Sequence, residues 1–446
     1  MSGLREQLAN AAVLVVGCGL SGVSAARFAS ACGARVRVVD TREEPPGAAA
    51  LAEACPQASL VVGEFNPLLL EGMSHIVVSP GVDLREPLIQ AARDRGMDVV
   101  GDIEWFAQVV DAPVVAITGS NGKSTVTAWM GEIAKTAGKR YAIGGNFGTP
   151  ALDLLADDIE LYVLELSSFQ LELTHRLPAQ AATVLNISAD HIDRHGDIEH
   201  YAALKARIFT AAEVAVINGD DARVAAMATG TAEVMQFGEA ENADYRLVEA
   251  DGRRHLARGE QPWLACDELR LAGRHNQLNA LAVWALAEAA GMDEKAIRRG
   301  LAQFAGLPHR CETVAEIDGV RWINDSKGTN LGAMMASLSG MDTPVLLLAG
   351  GQAKGADFTA LGPLAAQKAR VVIVFGQDAE LIAAAVEDHV AVERVMTLRD
   401  AVQQASTRAE RGDTVLLSPG CASFDQFDNY VHRGESFVAA VQELAA

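Results

Sequence analysis

The sequence predicts an α/β protein of three domains, each built on a mainly parallel β-sheet with flanking helices. Short apolar runs of strand length alternate with longer, alanine-rich segments at helical spacing, which is typical of parallel strands joined by crossover helices. The chain of 446 residues is also too long for one ordinary core, and roughly 100–200 residues per domain gives about three domains. The apolar runs are Val13 to Val16, Val36 to Val39, Ile76 to Val78, Val114 to Ile117, Leu161 to Leu164, Val345 to Leu348, Val371 to Phe375 and Val415 to Leu417.

Motif placement sets the expected domain boundaries. We expect a first domain at residues 1–101, a central domain at residues 102–307 and a C-terminal domain at residues 308–446. The segment from Glu239 to Leu271 is more polar and contains alternating runs, which predict a small antiparallel excursion in the central domain.

Composition excludes some classes of protein. The formal net charge of -21 would repel a phosphate backbone, so we expect no nucleic-acid partner. The six cysteines are scattered singly, which favours a reducing cytosol over a disulfide framework. No apolar stretch reaches the roughly 18 residues that span a bilayer. We therefore expect a cytoplasmic protein with no membrane partner, and we expect a monomer.

A phosphate-binding loop follows the apolar run that ends at Ile117. Glycines let backbone amides point at phosphate oxygens, the following helix adds a favourable dipole, and a lysine supplies a point charge for the β- and γ-phosphates. The loop is a short variant, GxxGKS, and the alternative is a glycine-rich turn without a ligand. The expected ATP-binding residues here are Gly119, Ser120, Asn121, Gly122, Lys123, Ser124 and Thr125.

A nucleotide site also needs a metal. The Ser124 hydroxyl is expected on Mg²⁺, and Glu165, which ends the buried run LYVL, is the predicted acidic ligand. Its alternative is a surface glutamate after a strand. The stretch from Asn186 to His195 contains two histidines, two aspartates and an arginine, and this clustering favours a functional site over a structural role. Lys205 follows in a helical segment, where spacing alone predicts a solvent-exposed lysine.

The first domain carries a dinucleotide-type fingerprint. GCGLSG follows the first strand, and Asp40 ends the second strand 18 residues after Gly22, which predicts a Rossmann-like domain. Taken alone this suggests NAD, yet the same physics serves any ligand with a diphosphate and a ribose. A glycine turn used only for helix packing is the other alternative. Thr41, Arg42 and Ser79 extend the polar rim.

The C-terminal domain, also expected to be Rossmann-like, places polar loops after three of its apolar strands: NDSKGTN, GGQAKGAD and SPGCASFDQF. Such strand-end loops should converge on one crevice. Lys354 and Ser423 would then bind a small carboxylate.

These segments together resemble the Mur ligase family, from the first glycine loop to the last thirty residues. TGSNGKST with ELSSFQLE, DHIDRH and HNQLNA is similar to the family's P-loop ATPase domain. GCGLSG and DTR at the front, with NDSKGTN, GGQAKGADF and LSPGCASFDQF at the back, resemble members that add D-glutamate. The DNPR motif of tripeptide-forming members is missing.

The resemblance implies an ATP-dependent amide ligase of peptidoglycan precursor synthesis, and so of cell-wall biogenesis, cell shape and cell division. Its substrates would be UDP-N-acetylmuramoyl-L-alanine and D-glutamate, joined through an acyl phosphate. It implies two Mg²⁺ ions, the second bound by His191 and a carbamoylated Lys205. The implied catalytic residues are Lys123, His191, Lys205 and Arg310.

The resemblance also implies binding residues. Further ATP contacts would be Asn279, Arg310 and Asp325. The UDP-substrate would contact Gly19, Leu20, Ser21, Asp40, Thr41, Arg42, Ser79 and Asn146. D-Glutamate would contact Thr329, Lys354, Ser423, Phe424 and Tyr430, the last standing where a phenylalanine is common.

Three alternatives stay open at this point. A nucleotide-switch binding protein would use the phosphate loop without making a bond. An NAD-dependent oxidoreductase would follow from the first domain alone, although the phosphate loop argues against it. Another Mur ligase, or a ligase of the folylpolyglutamate type, would keep the chemistry and change the substrate.

Overall fold

The computed structural model describes residues 3–227, 229–230, 232–271 and 273–444, apart from the side chain of Asp193. This part of the chain forms three β-sheets, so the predicted α/β class is confirmed. The chain divides into two compact units. One comprises Met1–Ala265 with Asn279–Ala302, and the other comprises Cys266–Leu278 with Gln303–Ala446.

The first sheet is parallel throughout and has the strand order β3-β2-β1-β4-β5. Every residue of β1 is buried, because helices cover both faces of the sheet. The strands are β1 (Ala12–Val16), β2 (Arg35–Asp40), β3 (Ser59–Val62), β4 (His75–Val78) and β5 (Val99–Val100). The helices are α1 (Gly3–Leu8), α2 (Leu20–Ala31), α3 (Ala48–Ala54), α4 (Pro87–Asp94) and α5 (Asp102–Val109).

The second sheet belongs to the same unit and has the order β14-β13-β12-β11-β10-β9-β6-β8-β7. Its strands are parallel up to β12, whereas β12, β13 and β14 pair antiparallel, as the alternating segment predicts. The strands are β6 (Val114–Thr118), β7 (Tyr141–Gly145), β8 (Leu161–Glu165), β9 (Ala181–Val184), β10 (Val214–Asn218), β11 (Glu233–Gly238), β12 (Tyr245–Ala250), β13 (Arg253–Arg258) and β14 (Gln261–Ala265).

Helices follow in the same stretch of chain. They are α6 (Lys123–Thr136), α7 (Ser168–Glu172), α8 (Ile192–His195), α9 (Ile198–Ala206), α10 (Ala222–Ala225), α11 (Arg274–Ala289) and α12 (Glu294–Gln303). Short 3₁₀ helices span Pro67–Leu70, Ala151–Leu154, Arg207–Phe209 and Cys266–Glu268. No helix in the described residues is long and apolar enough to cross a membrane.

The third sheet forms the core of the second unit and has the order β15-β16-β20-β17-β18-β19. Only β15 runs antiparallel to its neighbour. The strands are β15 (Glu312–Ile317), β16 (Val320–Asn324), β17 (Val345–Gly350), β18 (Ala369–Phe375), β19 (Ala391–Arg394) and β20 (Thr414–Leu417). The helices are α13 (Leu331–Ser339), α14 (Leu361–Lys368), α15 (Ala379–Val386), α16 (Leu398–Arg408) and α17 (Tyr430–Leu444).

Candidate functional site

The phosphate loop lies between β6 and α6, the strand-to-helix context that the motif requires. Gly119 and Gly122 adopt positive φ angles of 149° and 84°. A Cβ on Gly122 would lie 2.8 Å from the Asn279 Oδ1, so the loop and α11 approach closely here. The Lys123 Nζ donates hydrogen bonds to the carbonyl oxygens of Gly119 (2.9 Å) and Ser120 (2.8 Å). The lysine therefore folds over the loop, at the N-terminus of a 14-residue helix.

A buried carboxylate lies beside the loop. Glu165 ends β8, which pairs with β6, and its side chain is almost fully buried. The Ser124 hydroxyl donates to Glu165 Oε2 at 2.5 Å, and the Asn146 amide donates to Oε1 at 2.7 Å. A hydroxyl and a carboxylate held side by side fit Mg²⁺, which prefers oxygen ligands and takes others from phosphates and water. Clusters of three or more His, Cys, Asp or Glu that could hold a metal are not found among the described residues.

Lys205 is buried, and the exposure expected from its helical spacing is wrong. Its side chain is 1% exposed. The Nζ donates to the Thr118 Oγ1 at 3.2 Å and lies 4.7 Å from the centroid of the Tyr201 ring. Burial, and then the charge of Lys123, lower the pKa of Lys205 well below its ordinary value. Helical spacing did not predict this burial because Lys205 of α9 contacts Thr118 at the end of β6. Such a tertiary contact leaves no local pattern in the sequence.

The two histidines of the DHIDRH segment differ. His191 is exposed, has a left-handed backbone (φ 53°), and places its Nε2 3.8 Å from Asp190 Oδ1. His195 is buried, its ring stacks on Phe169, and its Nε2 lies 3.0 Å from the Ser168 hydroxyl. Burial lowers the pKa of His195 to about 4. Of these two histidines, only His191 is therefore available to a ligand. His195 anchors the segment through its contacts with Phe169 and Ser168.

A cavity of about 640 Å³ opens at the carboxyl ends of the first sheet. It is lined by all eight residues expected for the UDP-substrate: Gly19, Leu20, Ser21, Asp40, Thr41, Arg42, Ser79 and Asn146. Arg42 donates to both oxygens of Asp40, at 2.8 and 2.6 Å, and lowers the pKa of that carboxyl to about 2. The Asp40 charge is thus permanent at neutral pH.

Gln170 also lines this cavity and was missed at the sequence level. Its Oε1 accepts a hydrogen bond from the Ser167 backbone amide in a capping box at the start of α7. In the sequence this motif predicts the start of a helix and gives no sign of a binding site. Asp102 lies behind the same wall, 2% exposed. Burial raises its pKa to about 6, although Ser21, Ile103 and Gln170 oppose the shift.

The second unit brings together the loops after β16, β17 and β20, as expected for a sheet in which β20 lies between the other two. The Lys354 Nζ lies 5.3 Å from the centroid of the Phe424 ring, and Ser423 is buried nearby in sequence. The Lys327 Nζ lies 3.8 Å from the centroid of the Tyr430 ring, a cation–π contact that the sequence did not predict. Thr329 follows in the same loop.

Asp325 is buried within this unit. Its Oδ2 accepts hydrogen bonds from Ser337 and Ser418, both at 2.7 Å, and its Oδ1 accepts the Cys311 amide at 3.2 Å. Burial raises its pKa. Asp325 thus fixes the backbone next to Arg310, in a turn where Cys311 has a φ of 48°. Contact of Arg310 and Asp325 with a nucleotide stays a prediction.

Comparison with known families covers most of the chain. Family models match residues 11–101 (Mur ligase MurD-like, N-terminal domain), 117–287 (Mur ligase middle domain) and 309–421 (Mur ligase, glutamate ligase domain). The chain belongs to the Mur ligase family.

Relatives within the Mur ligases are similar over nearly their whole length. A protein of Nitrosococcus oceani named UDP-N-acetylmuramoylalanine--D-glutamate ligase is 48% identical over 99% of this chain and 98% of its own length. A protein of the same name from Pseudomonas aeruginosa is 47% identical over 97% of this chain and 98% of its own.

Solved Mur ligase structures share the fold. The UDP-N-acetylmuramate-alanine ligase of Thermotoga maritima has a TM-score of 0.62 at 17% identity, covering 97% of this chain and 99% of that one. The UDP-N-acetylmuramoylalanyl-D-glutamyl-2,6-diaminopimelate--D-alanyl-D-alanyl ligase of Acinetobacter baumannii has a TM-score of 0.60 at 19% identity, covering 91% and 90%. At this identity the likeness supports the α/β architecture alone.

Proposed function

We propose that this chain is an ATP-dependent ligase that adds D-glutamate to UDP-N-acetylmuramoyl-L-alanine, in cytoplasmic synthesis of the peptidoglycan precursor. The observation that carries the proposal is the match to D-glutamate ligases, at 47–48% identity over nearly full length. Three local features also support it: a phosphate loop before α6, a cavity of about 640 Å³ at the first sheet, and polar loops at one edge of the third sheet.

Each ligand is assigned to one part of the chain. The UDP-substrate would bind residues 1–101 with Asn146, the nucleotide would bind residues 102–307, and D-glutamate would bind residues 308–446. Support comes from the eight residues that line one cavity and from the loops that meet at one edge of the third sheet. We further propose that the protein acts as a monomer, without a nucleic-acid or membrane partner.

The first chemical step activates the alanyl carboxylate. That carboxylate is a poor acyl donor because oxide cannot leave, so an oxygen of the carboxylate attacks the γ-phosphorus of ATP, ADP departs, and an acyl phosphate forms. Two anions must meet, and Lys123 and the helix dipole of α6 oppose their repulsion. Mg²⁺ at Ser124 and Glu165 would supply further charge neutralisation on the phosphates. Arg310 is proposed to contact the same phosphoryl group.

The second step forms the amide. The free amine of D-glutamate attacks the acyl carbon, the tetrahedral intermediate collapses, and inorganic phosphate leaves with the acyl oxygen. One proton must leave the nitrogen, and His191, which is exposed in the first unit, could accept it at the ring nitrogen that does not hold Mg²⁺. Thr329, Lys354, Ser423, Phe424 and Tyr430 are proposed to hold D-glutamate, with Lys354 facing a carboxylate.

We also propose that Lys205 is carbamoylated and, with His191, holds a second Mg²⁺. The buried amine has one hydrogen-bond partner among the described residues, Thr118, and burial favours its neutral form. A neutral amine can attack carbon dioxide; an N–C bond forms, one proton is lost, and the neutral side chain becomes an anionic carbamate whose oxygens can bind a metal ion.

Phosphate release from MgATP tests the proposal. The reaction contains UDP-N-acetylmuramoyl-L-alanine and, in separate samples, D-glutamate, L-glutamate, L-alanine, L-lysine or meso-diaminopimelate. We expect stimulation by D-glutamate alone. Stimulation by another amino acid would move the chain to another branch of the family, and stimulation by none would favour a nucleotide switch.

A further inference from the structure

Arg433 is a buried cation beneath the loops of the third sheet. It lies in the first turn of α17 and is 0% exposed. Its Nε donates to the Ser326 hydroxyl at 3.0 Å, and its Nη2 donates to the Ser326 carbonyl at 2.8 Å. Its Nη1 donates to the carbonyls of Cys421 (3.0 Å) and Gly350 (3.5 Å). One guanidinium therefore joins the loops that follow β16 and β20 to the last residue of β17, where the third loop begins.

No carboxylate lies within ion-pair distance of Arg433 among the described residues, and its acceptors are three carbonyls and one hydroxyl. Burial lowers its pKa to about 10, so the group still carries its charge at neutral pH. The charges of Asp425 and Asp325 oppose this shift, but neither carboxylate touches the guanidinium. Burying a cation without a carboxylate in contact is costly unless carbonyl dipoles satisfy it, as they do here. A hydrophobic residue would fill the space at lower cost, so packing alone does not explain an arginine.

The loops that Arg433 joins carry Thr329, Lys354 and Ser423. The network continues through Ser326, whose hydroxyl donates to the Tyr430 carbonyl at 2.8 Å. Tyr430 in turn supports Lys327 through its ring. Polar groups from separate loops are thus tied to one rigid, planar donor.

We propose that Arg433 is a positioning residue for the amino-acid pocket. It holds the three loops in fixed positions relative to one another, and it adds a permanent positive charge beneath a ligand that carries two carboxylates. The inference rests on the proposed function. It predicts that Arg433 controls the affinity for D-glutamate without touching it, and that nucleotide affinity in the other unit is unaffected.

The test uses two variants of the full-length enzyme. Arg433→Lys keeps the positive charge but loses the planar set of guanidinium donors, and Arg433→Ala loses both. We expect the KM for D-glutamate to rise roughly 10- to 100-fold, the size of one or two lost hydrogen bonds to a charged group, and to rise more in the alanine variant. The KM values for ATP and the UDP-substrate should stay unchanged. Added guanidinium ion should lower the KM of Arg433→Ala, with equal sodium chloride as the salt control.

Two further variants keep the test decisive. Arg399→Ala removes an exposed arginine of α16 that pairs with Glu443, and it should behave like wild type. Ser326→Ala removes one acceptor of Arg433 and should raise the KM for D-glutamate in the same direction, even if the arginine variants do not fold.

An unchanged KM for D-glutamate in Ser326→Ala and in any folded Arg433 variant would overturn the proposal, as would an equal rise in all three KM values. Failure of the proposed function is separable, because it shows in wild type as stimulation by another amino acid. In that case the KM values of the Arg433 and Ser326 variants are compared for the amino acid that stimulates the wild-type enzyme.

Discussion

Lys205 shows what burial does to a single residue. Its amine is buried beside Thr118 and the ring of Tyr201, and the charge of Lys123 opposes its protonation. An ammonium is poorly solvated there, whereas a carbamate could take a metal ion as its partner. The residue is therefore suited to modification and poorly suited to a permanent positive charge.

The carbamate proposal predicts a dependence on carbon dioxide. Wild-type enzyme freed of carbon dioxide at mildly acidic pH should lose activity and regain it on addition of bicarbonate. Lys205→Ala should lose activity by about 10² or more and should not respond to bicarbonate. The measurement is D-glutamate-dependent phosphate release. Equal wild-type activity with and without carbon dioxide would contradict the proposal.

Asp102 gives a prediction for stability against pH. Because burial raises its pKa to about 6, above the model-peptide value of 3.8, the folded state disfavours the ionised form. Wild-type protein should therefore lose stability as pH rises from about 4 to about 6, and the loss should be complete above that range.

Asp102→Asn does not titrate and should remove this loss. Its unfolding free energy relative to wild type should rise with pH by up to about 3 kcal/mol and then level off. Urea unfolding between pH 4 and pH 8 measures the difference. Asp111→Asn, at an exposed site beyond α5, is the control. A difference that does not change with pH would show that the carboxyl of Asp102 is not perturbed.

At the scale of elements, the two ends of α6 illustrate different uses of glycine. Gly122 precedes the helix and Gly138 follows it, with φ angles of 84° and 72°. An added Cβ at Gly122 would meet the Asn279 side chain, whereas at Gly138 it would meet nothing within 4 Å. Both positions disfavour alanine, but only the first is crowded at the phosphate loop.

The pair of substitutions separates these effects. Gly122→Ala should raise the KM for ATP by about tenfold or more, since the loop must shift to admit a methyl group. Gly138→Ala should lower the free energy of unfolding by roughly 1–2 kcal/mol and leave the KM for ATP unchanged. Steady-state kinetics and urea unfolding measure the two quantities. Equal KM values for the two variants would mean that the loop tolerates the added group.

Elements that are buried on both faces could be predicted from the sequence. The runs in β1, β6 and β8 are continuous and apolar because helices cover their sheets, and the polar residues at their ends predicted the loops of the candidate site. Spacing could not reveal Lys205 or Arg433, because both are buried by contacts between distant segments. The position of Gln170 in the cavity wall could not be predicted, because its sequence pattern is fully explained by the capping box at the start of α7.

For the whole molecule, the net charge of -21 gives no general attraction for anionic substrates. Positive groups are instead concentrated locally, at Lys123 and Arg42 in one unit and at Lys327, Lys354 and Arg433 in the other. In the proposed function, these local positive groups would hold a nucleotide, a UDP-linked carboxylate and a dicarboxylic amino acid despite the negative net charge.

The most direct test of amide ligation through an acyl phosphate follows oxygen atoms. UDP-N-acetylmuramoyl-L-alanine labelled with ¹⁸O in its alanyl carboxylate is incubated with the enzyme, MgATP and D-glutamate, and both products are examined by mass spectrometry. We predict a D-glutamyl amide product and one ¹⁸O atom in the released phosphate, because the carboxylate oxygen leaves with the phosphoryl group. Amide product accompanied by unlabelled phosphate, or phosphate release without amide, would contradict the account.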